Sequence, residues 1–164
     1  DIDEMENMLN DYLQFAKTQA KEETSSINLS SLIKDIKREF SNENLVLENL
    51  EDITLKGRSS ALKRCLENVI QNGLVYGNNV FVNLYRGSNI ASITIDDDGP
   101  GIPEDQYKNV LKPFVRLDKS RSLNKSGVGL GLAIVEDVIN SHGGSISLGK
   151  GKHSGLQVKI SLPF

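Results

Sequence analysis

The chain has 164 residues, 38% of them hydrophobic and a quarter charged, which suffices for one sizeable core and is short for two. A formal charge of -3 and a sequence pI near 5.4 remove any electrostatic reason to expect nucleic acid or an anionic membrane as the main partner. No apolar run approaches the roughly 20 residues that span a bilayer, no signal-peptide pattern opens the chain, and the single cysteine, Cys65, excludes an intramolecular disulfide.

In chain order, Ile2, Met5, Leu9, Tyr12 and Ala16 step by three and four, the seam spacing of a helix that packs in a bundle or coiled coil, with an amphipathic helix folded back on the same domain as the equal alternative. Because this pattern is already running at the first residue, residues 1 to 20 read as an element cut from something longer. Lys21 to Ser26 has no apolar residue and reads as a linker. Asn28, Ser30 and Ser31 are good helix caps and predict a helix through Leu32, Ile33, Ile36 and Phe40. Short strands are expected at Leu45 to Leu50 and Ile53 to Lys56, with a hairpin-like break at Glu51 and Asp52. Ser59 to Tyr76 is periodic in the helical sense, and Cys65 falls among Leu62, Leu66 and Val69 on its apolar stripe, as a buried, reduced thiol. Val80 to Tyr85 and Ile90 to Ile95 alternate and predict an antiparallel pair across Arg86 to Asn89. Farther on, Gly129 to Ser141 reads as a helix that Gly143 and Gly144 stop, and Ser145 to Leu148 and Leu156 to Leu162 as closing strands. The order implies an α+β fold: a two-layer α/β sandwich whose mixed, mostly antiparallel sheet is covered on one face by helices, preceded by a bundle-type helix.

Three stretches carry chemistry. Asn68 and Asn72 lie four apart on a predicted helix, so their side chains share one face. Asparagine is a poor helix-interior residue because its amide competes for backbone hydrogen bonds, and neutral carboxamide oxygens are hard ligands suited to Mg²⁺ held mainly by substrate phosphates. A solvated polar face is the plain alternative. Asp96, Asp97 and Asp98 end a strand and enter Gly99-Pro100-Gly101, and alternation sends Asp97 to the face opposite Asp96 and Asp98. A carboxylate only accepts hydrogen bonds, so Asp97 in a pocket would take the amino group of adenine and repel the carbonyl oxygen of guanine. Glycines beside it let backbone approach a planar ring; a tight Asp-Gly-Pro turn is the plain alternative. Gly127, Gly129 and Gly131 lead into an apolar helix, where free N–H groups and the positive dipole end favour phosphate. Their spacing fits neither the Walker A pattern nor the dinucleotide fingerprint. Lys112, Arg116, Lys119, Arg121 and Lys125, interleaved with serines, read as a mobile, cationic lid between these stretches, against the alternative of a solvated loop.

Together these residues resemble the ATP-binding catalytic domain of two-component sensor histidine kinases, within the superfamily that also holds DNA gyrase, the MutL mismatch-repair proteins and the ninety-kilodalton heat-shock chaperones. Asn68 to Tyr76 resembles its N box, Asp97 to Ile102 its first glycine box, Lys112 to Arg116 its F box, and Gly127 to Ile134 its second glycine box. The resemblance implies the Bergerat ATP-binding fold over residues 29–164, a linker at 21–28, and at 1–20 the end of the second helix of the dimerisation and phosphoacceptor hairpin. As cofactors it implies ATP and Mg²⁺, with Asn68 and Asn72 as metal ligands and catalytic residues. It places Asp97, Gly99, Gly101 and Ile102 at adenine, Gly127, Val128, Gly129, Leu130, Gly131 and Leu132 around the phosphates, and Tyr76, Lys112 and Arg116 near the polyphosphate, Arg116 with a catalytic part. Two positions depart from the family pattern: Val75 stands where many members carry a triphosphate-binding cation, and Leu111 where a phenylalanine is frequent.

The family's acceptor histidine sits on a helix with an acidic residue next to it, whereas His142 precedes Gly143 and His153 precedes Ser154. The expectation is a domain that binds Mg²⁺-ATP and phosphorylates a histidine on a dimerisation domain absent from this chain, for relay to a response-regulator aspartate, in a cytoplasmic location with a homodimeric, membrane-anchored parent. ATP-hydrolysing clamps of the superfamily differ by a glutamate four residues before the metal asparagine, where this chain has Asn68. A nucleotide-free scaffold, motivated by Val75, is the other alternative.

Overall fold

The computed structural model describes residues 2–41, 44–112 and 131–164. Helix α1 (Ile2–Lys21) is followed by strand β1 (Ser25–Asn28), helix α2 (Leu29–Glu39), strands β2 (Leu45–Leu50) and β3 (Thr54–Gly57), helix α3 (Ser59–Tyr76), strands β4 (Val80–Arg86) and β5 (Ile90–Asp97), a 3-10 turn at Glu104–Gln106 running into α4 (Tyr107–Val110), helix α5 (Gly131–Ser141), and strands β6 (Ser145–Lys150) and β7 (Leu156–Pro163). A five-stranded sheet in the order β2-β4-β5-β7-β6 forms one layer, and β1 and β3 form a separate two-stranded sheet. Among the described residues only β2 and β4 pair in parallel in the larger sheet, a pairing that requires a crossover, and α3 lies in that connection.

Alternation along the strands decides which face is covered. Val80, Val82 and Leu84, then Ala91, Ile93 and Ile95, then Leu156, Val158, Ile160 and Leu162 are all buried, and they pack with Leu62, Leu66, Val69 and Ile70 of α3 and Val135, Val138 and Ile139 of α5 in one core. Cys65 belongs to this core; burial pushes its thiol up to about 12, so it is unreactive. On the α1 helix Ile2, Leu9 and Leu13 are exposed, and no helix among the described residues is long and apolar enough to cross a membrane.

Two expectations fail. The chain does not reverse at Glu51 and Asp52: β2 pairs with β4, and β3 pairs antiparallel with β1. Ile53 is fully buried there and its carbonyl accepts from Leu29 N at 2.9 Å, so the segment dives under α2 instead of turning back. The end of the supposed linker is the partner of β3: Ile27, facing Leu55 across the ladder, is buried and supplies the apolar contact that the flanking serines hide in sequence. Asn28 caps α2 as expected, its Oδ1 accepting from Ser31 N at 2.9 Å. Glu22 does for α3 what the local sequence does not, accepting from Ser60 N at 2.8 Å and Ala61 N at 3.2 Å at a helix start with no capping side chain of its own.

Candidate functional site

Strand β5 ends on Asp97, which is buried and on the helix-covered face, register-paired with the core residue Val80. Its Oδ1 accepts from Gly99 N at 2.9 Å and Leu156 N at 3.3 Å, which fixes the carboxylate from two chain segments. A Cβ on Gly73 would lie 2.8 Å from Val80 Cγ2 and 3.5 Å from Asp97 Cβ, so the last turns of α3 rest directly on the acidic end of β5. A Cβ on Gly99 would fall 2.5 Å from the Tyr76 carbonyl oxygen. Glycine is required here by this close approach, and it keeps the loop after β5 against the end of α3.

Asn68 and Asn72 are half-buried on α3, flanking the stripe of Leu66, Val69 and Ile70 that enters the core. Among the described residues no hydrogen bond engages either carboxamide. Two hard oxygen donors, partly desolvated and uncommitted to described neighbours, fit Mg²⁺ that retains water and phosphate ligands. Tyr76 ends the same helix. Gly101 takes a left-handed conformation with φ 74°, and Ile102 packs against the core. Gly131 and Leu132 open α5, Leu132 packing on the core, and Lys112 is exposed. Arg116, Gly127, Val128, Gly129 and Leu130, with the whole cationic lid beyond Lys112, lie outside the described residues.

The three aspartates divide their work. Asp98 leaves the strand and accepts from Asn78 N at 2.7 Å, Asn79 N at 2.8 Å and Asn79 Nδ2 at 2.9 Å, stapling the loop after α3 to the loop after β5. The Asn79 side chain, with its backbone N–H, holds the Asp98 carboxyl below its ordinary value. Asp96 points to the uncovered face, is 1% exposed, and its Oδ1 is without a hydrogen-bond partner among the described residues. Burial raises its pKa, opposed by the Gln157 side chain and by charge on His153 and Lys152. Leaving such an oxygen unpaired costs about 1–3 kcal/mol, so the site carries a local expense beside Asp97.

Sequence patterns single out Asp97 but assign no task to Asp98, Gly155 or Leu156. A Cβ on Gly155 would sit 2.1 Å from Asp97 Oδ1 and 2.2 Å from Asp97 O. The signal for these residues is the pairing of β5 with β7, which sets Asp96 against Gln157 and thereby brings Gly155 and Leu156 alongside Asp97.

Of the two histidines, His142 is committed at both ring nitrogens. His142 Nε2 accepts from Arg58 N at 3.0 Å, while Nδ1 lies 2.8 Å from the Val138 carbonyl oxygen and donates to it. Burial lowers its pKa, in keeping with a neutral ring whose two nitrogens are both spoken for. His153 stacks on Phe81 at 3.7 Å between centroids, and Phe81 pairs with Asp96 on the face opposite Asp97.

A family profile described as histidine kinase-, DNA gyrase B-, and HSP90-like ATPase matches residues 57–164. The sensor histidine kinase GtrS of Pseudomonas aeruginosa is 33% identical over 165 residues, covering 99% of this chain and 34% of that protein. The sensor histidine kinase CpxA of Escherichia coli K12 is 37% identical over 111 residues, covering 67% of this chain and 24% of that protein. Among solved structures, a mycobacterial sensor histidine kinase, MprB, superposes with a TM-score of 0.72 at 27% identity, over 86% of this chain and 97% of the other. The chain thus spans a quarter to a third of the length of these curated relatives.

Proposed function

The chain belongs to the family of histidine kinase-, DNA gyrase B- and HSP90-like ATPases, and we propose that residues 25–164 are the ATP-binding catalytic domain of a sensor histidine kinase, with 1–20 the end of the dimerisation hairpin and 21–24 the connection. The observation that carries the reading is Asp97: a buried carboxylate fixed by Gly99 N and Leu156 N at the foot of the helix that bears Asn68 and Asn72.

Asp97 accepts the adenine amino group and rejects a guanine carbonyl. Asn68 and Asn72 offer oxygen ligands to Mg²⁺, and bound Mg²⁺ supplies neutralisation of the phosphate oxygens. Gly127 to Leu132 pass backbone around the phosphates at the start of α5, where N–H groups and the helix dipole favour negative charge. Lys112 and Arg116 bring cations to the polyphosphate, in place of the one that Val75 lacks. The reaction then needs position more than covalent help: an imidazole nitrogen bonds to the γ-phosphorus as the bond to the leaving ADP oxygen breaks.

That imidazole belongs to a dimerisation and phosphoacceptor domain, because His142 is committed at both nitrogens and His153 is stacked on the far face of the sheet. The further partner is a response-regulator receiver domain, the parent a membrane-anchored homodimer, and the domain itself cytoplasmic. A hydrolytic clamp is disfavoured by the placement of Glu67, which lies about 100° around the helix from Asn68 and hydrogen-bonds Glu39 of α2. Calorimetric titration with ATP, with and without Mg²⁺, tests the pocket, and radiolabelled ATP with an added phosphoacceptor domain tests transfer. Mg²⁺-dependent heat and acid-labile label on the acceptor alone are expected. A folded chain that takes up no ATP contradicts the reading, and label on this chain contradicts the assignment of the acceptor.

A further inference from the structure

The β6–β7 hairpin ends in a five-residue turn, Gly151 to Gly155, closed by Gly151 N donating to Gly155 O at 2.9 Å. It straddles the end of β5. On the uncovered face Gly151 abuts Asp96, a built Cβ falling 3.1 Å from its Oδ1. On the covered face Gly155 abuts Asp97, and Leu156 N donates to it. The same turn reaches Gly101, whose built Cβ would lie 3.4 Å from Ser154 O. Ser154 holds φ at 73°, the left-handed conformation found at the last position of a three-residue hairpin loop. One residue earlier the His153 ring lies nearly parallel to Phe81, 14° between planes, which joins the tip of the turn to β4.

We propose that His153 is a positioning residue for nucleotide recognition: by stacking on Phe81 at the back of the sheet it pins the 151–155 turn, and the turn's other end holds Asp97 in the orientation that reads the base. His153 touches no nucleotide in this account. Its effect travels through Gly155 and Leu156, a path of adjacent backbone and one hydrogen bond. The inference rests on the proposed ATP site for its consequence, while the coupling between position 153 and Asp97 stands on the geometry of the chain alone.

The experiment compares the full chain with His153→Ala and His153→Phe by backbone NMR and by ATP titration in Mg²⁺. Phenylalanine keeps the stack and loses the imidazole nitrogens. In the alanine variant the Gly99 and Leu156 amide resonances shift, Leu156 N–H exchanges faster, and ATP binds more weakly by about two- to tenfold, the range one aromatic pair is worth; the phenylalanine variant restores all three. Exchange rates of core amides in Ile93 and Ile160 report whether either variant has merely loosened the fold. Unmoved Gly99 and Leu156 amides in a folded alanine variant overturn the proposal, as does a phenylalanine variant that fails to rescue them. If wild type binds no ATP, the proposed function fails, and the amide shifts still decide whether His153 positions Asp97.

Discussion

Replacing Gly155 by alanine adds one methyl group at the point where β7 meets Asp97. The added carbon would lie 2.1 Å from Asp97 Oδ1, 2.2 Å from Asp97 O and 2.7 Å from Asp97 C. Two of these are backbone atoms of the last residue of β5, so no side-chain rotation relieves the contact and either the turn or the end of β5 must move. Overpacking of this kind costs about 1–3 kcal/mol. For a chain of this size each kcal/mol moves the melting temperature by about 2–4 °C, so a fall of roughly 2–12 °C is expected by calorimetry or circular dichroism. Gly149→Ala is the matched control, because a Cβ there meets nothing within 4 Å. ATP affinity should fall in the Gly155 variant and stay level in the control. A Gly155→Ala protein that melts and binds ATP like wild type would refute the seating of the turn on Asp97.

Asp97→Asn keeps an oxygen for Gly99 N and Leu156 N but exchanges the other carboxylate oxygen for a donor; loss of a charge-assisted bond worth about 1.5–3 kcal/mol predicts ATP binding weaker by about tenfold to a hundredfold in calorimetry, with little change in melting. Glu22→Ala uncaps α3 at Ser60 N and Ala61 N and should cost about 1 kcal/mol in urea denaturation, with faster amide exchange confined to the first turn of α3. Two groups give pH dependence of opposite sign. His142 has a lowered pKa when folded, so its contribution is present above the unfolded value near 6.5 and declines as pH falls below it; Glu67, raised to about 7, contributes stability that is lost as pH rises from about 4.5 through 7. Relative to wild type, the slope of the urea midpoint against pH between about 5 and 7.5 should therefore become more positive in Glu67→Gln and more negative in His142→Gln; slopes unchanged from wild type would contradict these assignments.

The elements that carry the site were legible because their own periodicity suffices. Ser59 to Tyr76 repeats its apolar residues at helical spacing, and Val80 to Arg86 and Ile90 to Asp97 alternate, so α3, β4 and β5 follow from local pattern. What stayed hidden depends on distant partners. Ser25 to Asn28 has one buried apolar residue, Ile27, and becomes a strand only because β3 lies beside it. Strands β2 and β3 are neighbours in sequence but not in space, since Ile53 is drawn beneath α2 and β2 reaches β4 across α3. In the site, Asp97 could be picked out from a carboxylate beside glycines, yet its hold by Leu156 and Gly155 depends on a pairing between residues 59 apart in the chain. Asp96 and Asp98 are indistinguishable from Asp97 by composition. Only the sheet gives one to the back face and the other to the loop after α3.

A crystal structure of this chain with Mg²⁺ and a non-hydrolysable ATP analogue tests the central claim most directly. The adenine amino group should lie within hydrogen-bonding distance of Asp97, with the metal bound on the Asn68 and Asn72 face of α3 at the other end of the same nucleotide. Adenine seated away from Asp97, or phosphates running from it without approaching Asn72, would contradict the account.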